Sequence, residues 1–81
     1  MKLPDRLLIC TVIFYYVGEL QEYDDSLIKL KNASWVVNTG RLSECLNSGS
    51  LTEVETPKDG VAYINRESII CIWEWKHKLP S

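Results

Sequence analysis

Gly18-Glu19-Leu20-Gln21-Glu22-Tyr23-Asp24-Asp25-Ser26-Leu27-Ile28-Lys29-Leu30-Lys31 is the stretch that decides how this chain folds. Residues 19–23 alternate polar with apolar, as a half-buried strand does, and residues 27–31 alternate again. Between them, Asp24-Asp25-Ser26 is a cluster of short polar side chains that hydrogen-bond the local backbone and turn it. The stretch reads as a β-hairpin. Gly18 marks a bend at its entrance, and Ser34 to Val37 extends the returning strand.

Upstream, Leu7 to Tyr16 is rich in β-branched and aromatic residues and reads as one strand with two apolar faces. Downstream, Leu42, Cys45 and Leu46 fall at i, i+3 and i+4, so a short helix is expected at about residues 40–48. Asn38 or Thr39 would cap it and Gly49 would stop it. Leu51 to Glu55 alternates once more, and Pro57-Lys58-Asp59-Gly60 is a turn leading into Val61 to Ile64. After the polar connection Asn65 to Ser68, Ile69 to Trp75 is a last strand, apolar on both faces in its first half, followed by the basic tail Lys76-His77-Lys78. This order predicts a single mainly β domain over residues 1–81, a small strongly bent barrel of five or six strands. One short helix is inserted among the strands.

A barrel has one interior, so the outward apolar residues of the first and last strands need a second cover. The inserted helix can supply part of it. A neighbouring subunit adding strand to strand can supply the rest, and a helix that covers everything would leave a monomer. A chain of 81 residues buries only about 60–65% of its unfolded surface, which makes self-association attractive.

Composition narrows the function classes. A net charge of −2 with nine Lys and Arg disfavours broad neutralisation of long DNA or RNA, while leaving room for a local arginine site. Cys10, Cys45 and Cys71 form neither a metal knuckle nor an even disulfide framework, so reduced thiols are expected. The apolar run Leu7 to Val17 follows Lys2, Asp5 and Arg6 but has no small-residue cleavage site. It is also shorter than the roughly 20 residues a transmembrane helix needs. The expectation is a cytoplasmic chain with no membrane partner. His77 is the only histidine and lies in the tail, so no nucleophilic triad is expected in the core. Asp24-Asp25, and Glu53 with Glu55, read as solvated rather than metal-binding. No enzyme, cofactor or metal is expected.

Two motifs carry a family resemblance. Gly18 to Asn32 has a glycine, a hydrophobic residue two on, an aromatic and an Asp five and six on, and hydrophobics from nine on. This resembles the first motif of the Sm and Sm-like proteins, with the hairpin of the Hfq branch its nearest echo. Tyr63-Ile64-Asn65-Arg66-Glu67-Ser68-Ile69-Ile70 resembles their second motif, a hydrophobic strand, a short polar turn and a second hydrophobic strand. Ala33-Ser34-Trp35, Asn38-Thr39-Gly40-Arg41, Glu53-Val54-Glu55 and Trp75 with Leu79-Pro80 are similar to small Sm-like proteins encoded by bacteriophages. Three departures stand out. Residues before Leu7 leave no room for the family's opening helix, Asn65-Arg66 replaces the usual Arg-Gly, and residues 38–60 are inserted.

The resemblance implies an SH3-type barrel that assembles into a homo-oligomeric ring, in which the turns Tyr23 to Ser26 and Asn65 to Ser68 lie together and hold bases and phosphates. The residue chemistry suits that: Tyr23 can stack, Asp24 and Asn65 can read polar base edges, and Arg66 can pair with phosphate. Against these stand core packing for Tyr23 and a turn-forming hydrogen bond for Asp24. Asn38, Thr39, Gly40 and Arg41 at the expected helix start form a second candidate anion site, beside the plain reading of a helix cap. Trp35, Trp73 and Trp75 read as core or interface. The leading expectation is therefore a non-catalytic ring binding a nucleotide or short oligonucleotide at subunit boundaries. If the phage resemblance holds, it would sequester a host nucleotide signal in the host cytoplasm as a counter-defence. An RNA-binding ring of the RNA-chaperone type and a purely protein-binding or structural ring are the alternatives.

Overall fold

The computed structural model describes residues 2–80. Six antiparallel strands are present: β1 (Arg6–Thr11), β2 (Tyr15–Tyr23), β3 (Leu27–Asn38), β4 (Glu53–Glu55), β5 (Val61–Asn65) and β6 (Ile69–Glu74). One helix, α1 (Leu42–Ser48), lies between β3 and β4, and a single 3-10 turn, Arg66–Ser68, joins β5 to β6. The mainly β expectation, one short helix and the central hairpin are all present.

The sheet runs β4-β3-β2-β1-β6, with β5 also paired to β3. β3 reaches both partners because it bends in the middle: residues 27–31 pair with β5, and residues 35–38 pair with β4. At the bend Asn32 has φ of 49°, and the β2–β3 register slips between Val17 and Glu19. Gly18 sits opposite this slip. A Cβ there would lie 3.1 Å from the Ala33 Cα and 3.1 Å from the Lys31 carbonyl, so the two strands approach this closely only over a glycine.

The bent sheet has two apolar faces, each with its own core. Leu7, Ile9, Ile28, Leu30, Ala33 and Ile64 fill one; Leu8, Val17, Val36, Cys45 and Trp75 fill the other. Alternation along β1 sends its side chains to both in turn, which explains why its interior is apolar throughout. The second core is closed by α1 through Cys45, Leu42 and Leu46, and by Trp75 and Leu79 of the C-terminal segment.

Several expectations need correction. Leu7 to Tyr16 is two strands, because Thr11 closes a turn over Val12 and Ile13. Its hydroxyl donates to the Phe14 carbonyl (2.6 Å) and accepts from the Phe14 N–H (3.1 Å). The first strand needs no neighbouring subunit, since α1 and Trp75 already cover its outer face. The helix starts later than a cap at Asn38 or Thr39 allows. Its N-cap is Arg41, with no side-chain cap; the Asn38 side chain accepts from the Gly40 N–H (2.8 Å), and the Thr39 hydroxyl donates to the Gly40 carbonyl (3.0 Å). Gly49 does end the helix in the left-handed region.

The tail is docked rather than loose. His77 Nε2–H donates to the Leu46 carbonyl (2.7 Å), its ring packs edge-on against Trp75, and Arg6 donates to the His77 carbonyl (2.7 Å). The connection between β5 and β6 closes without a glycine. Asn65 and Ile69 flank the 3-10 turn with φ of −68° and −85°, and the Asn65 side chain accepts from the Glu67 N–H (2.9 Å). Among the described residues no helix is long and apolar enough to cross a membrane.

Candidate functional site

The hairpin turn after β2 is built by Asp24. Its carboxylate accepts from the Ser26 N–H (2.7 Å) and the Leu27 N–H (2.8 Å), and these two bonds hold it below the usual carboxylate range, with Arg66 adding a smaller pull. The turn-forming role of Asp24 is thus observed. Tyr23 is not core packing: its side chain is exposed at the end of β2.

The 3-10 turn after β5 lies against this hairpin turn. The Arg66 N–H donates to the Ser26 carbonyl (2.9 Å), and Arg66 Nη1 donates to the Asp24 carbonyl (2.9 Å). Tyr23, Asp24, Ser26, Asn65 and Arg66 are therefore brought together, although about 40 residues separate the two turns in sequence. A guanidinium carries five N–H donors, so after the bond to Asp24 most of the Arg66 fork remains for a ligand. Asn65 has committed its side-chain oxygen to the 3-10 turn, which leaves its amide hydrogens as the groups it can offer.

Two residues of this region, Lys29 and Tyr63, were not singled out from the sequence. They are directly opposed on β3 and β5; the Lys29 ammonium lies 5.3 Å from the centre of the Tyr63 ring and 3.7 Å from Glu22. The Tyr63 hydroxyl and then Glu22 raise the Lys29 pKa, keeping the ammonium charged. A cleft of about 320 Å³ is lined by Glu22, Tyr23, Asp24, Leu27, Lys29 and Tyr63. On its other side Tyr63 lines a second cleft of about 330 Å³, with Asn65, Ser68 and the apolar tip Val12, Ile13 and Phe14. The signal available in the sequence was period-2 alternation: Val61, Tyr63 and Asn65 share one face of their strand, opposite Ala62 and Ile64.

Asn38, Thr39 and Arg41 are not part of this cluster. Asn38 ends β3, eleven residues along the strand from Leu27, and Thr39 and Arg41 follow it. The hydrogen bonds of Asn38 and Thr39 are local, and the Gly40 N–H that an anion would use is taken by Asn38. The expected anion site at the helix start is therefore not formed as such: the helix has seven residues and begins beyond it.

The chemistry on offer at the paired turns is two exposed phenol rings and a lysine along one cleft with Glu22, one arginine fork, and the exposed turn carboxylates Asp25 and Glu67. Aromatic faces suit a planar ring, and Arg66 suits a bidentate anion. Comparison with family models, curated proteins and solved structures returns no match.

Proposed function

We propose that the chain is a non-catalytic, homo-oligomeric Sm-like binding protein that takes a nucleotide or short oligonucleotide at the boundaries between subunits. The observation that carries the reading is the meeting of the two turns through Arg66, at the junction of two strands with open edges. β5 is paired on one side only, to β3, and β6 on one side only, to β1. The 3-10 turn joins these two edge strands, so a neighbour adding to either edge comes in beside Asn65 and Arg66. Exposed Val61 and Tyr63 on β5, with Ile70 and Trp73 on β6, give such a neighbour apolar surface to bury.

The carboxylates support a compact ligand over a long one. A continuous RNA backbone would meet the exposed carboxylates Glu22, Asp25 and Glu67 of these strands and turns, whereas a compact ligand needs one phosphate on Arg66 and a base against Tyr63 or Tyr23. Calorimetric titration with mononucleotides, cyclic dinucleotides and a 20-nucleotide RNA tests this directly. A nucleotide binds, and Arg66→Ala weakens it about tenfold or more with a much smaller effect on Tm, because the half-buried side chain makes one hydrogen bond within the protein and the Arg66 N–H bond to Ser26 is kept. Tight binding of the long RNA alone favours the chaperone-type ring, and no heat from any of the three overturns the ligand assignment.

A further inference from the structure

Cys10 lies on β1, next to the edge strand β6, with a polar or thiol side chain opposite it on each neighbouring strand. In register, it faces Tyr15 on β2 and Cys71 on β6. Directly opposed residues of an antiparallel pair share one face of the sheet, as Leu8 and Trp73 do two positions away. Cα atoms of such pairs lie about 4.5–5.5 Å apart, which falls within the roughly 4.4–6.8 Å that a disulfide spans. The two thiols differ in access: Cys10 is 5% exposed, whereas Cys71 is half-buried at the open edge strand. Cys45 is on α1, fully buried in the second core and outside the strand register that pairs Cys10 with Cys71.

We propose that Cys10 and Cys71 form a reversible cross-strand dithiol–disulfide site that takes small-molecule disulfides as its oxidant. Cys71 is the entry thiol. Its thiolate attacks one sulfur of a small disulfide R–S–S–R, whose S–S bond breaks and releases one thiol R–SH after it takes up a proton. Cys10 then loses its proton to solvent, attacks the Cys71 sulfur of the mixed disulfide and expels the second R–SH. Two protein thiols lose two electrons and two protons, and one small disulfide is reduced to two thiols.

Burial pushes the Cys10 thiol up to about 12, helped by the Cys71 thiol beside it and opposed by the Tyr15 hydroxyl. Cys10 is thus a poor first nucleophile, and closure depends on its being held against Cys71. The closing step accelerates about tenfold per pH unit below that value, as the thiolate fraction rises. The bond adds a covalent clamp to β6, which hydrogen-bonds to β1 alone and slips register between Cys10 and Thr11. The site uses none of the side chains of the nucleotide reading and exists within one chain.

The test uses the wild-type chain in glutathione buffers of decreasing GSH/GSSG ratio, quenched with acid and digested with trypsin without reduction. The expected product joins peptide 7–29 to peptide 67–76 with loss of two hydrogens, forms without a shift to dimer mass, and disappears on adding dithiothreitol. Cys10→Ser should instead trap Cys71 as its glutathione adduct, and Cys71→Ser should leave Cys10 unmodified in the folded protein. Cys45→Ser should leave the linkage unchanged. Three results overturn the proposal: no linkage in fully oxidised glutathione, linkage to the Cys45 peptide, or linkage only between chains. Linkage seen only in urea would overturn it too, since the site must exist in the folded sheet.

Discussion

At the residue scale, Asp24 joins turn to site. Its lowered pKa comes first from the Leu27 and Ser26 N–H groups, and because it is depressed, its contribution to stability is complete above the ordinary carboxylate value. That contribution is lost as pH falls through the depressed folded value. Acid titration followed by NMR should therefore move the Ser26 and Leu27 amide resonances together below the ordinary carboxylate range, and Asp24→Ala should remove that step. Amides that stay put would contradict the turn geometry. The role of Asp24 was legible because its side chain acts on neighbours two and three residues away. Lys29 and Tyr63 were not, because they meet only once β3 and β5 are in register, and a single strand's pattern says nothing about register.

At the element scale, β1 explains both a success and a miss. Its double-sided apolar character was readable and does correspond to two cores. The turn after it was hidden because Val12, Ile13 and Phe14 are strand-forming types with no glycine, proline or asparagine among them; the Thr11 hydroxyl and the Thr11 N–H close the turn on Phe14. The helix was legible from the spacing of Leu42, Cys45 and Leu46, whereas its start was not, since Asn38 and Thr39 use their side chains on Gly40 instead.

Trp75 seals the outer face of β1 at 2% exposure and donates its indole N–H to the Lys78 carbonyl (3.1 Å). Trp75→Ala should cost about 3–5 kcal/mol in urea unfolding, a large share of the stability expected of a domain this small. A loss below about 1 kcal/mol would mean that the C-terminal segment is not docked. Gly18→Val should cost about 1–3 kcal/mol by crowding β3 at its bend, measured the same way; an unchanged midpoint would contradict the close approach.

At the scale of the whole molecule, the apolar surplus has a definite place. The helix and C-terminal segment bury β1, while Tyr63 on β5 and Ile70 on β6 remain 63% and 68% exposed on strands whose outer edges are unpaired. Strand addition between copies would pair the edges and cover both residues, and because β5 and β6 are different strands it would be head-to-tail, the kind of contact that closes rings. Light scattering coupled to size exclusion at micromolar concentration tests this most directly. The wild-type chain should elute at a multiple of its single-chain mass, and Ile70→Lys should shift it toward one chain; a wild-type protein with the mass of one chain would contradict the assembly and with it a site at subunit boundaries.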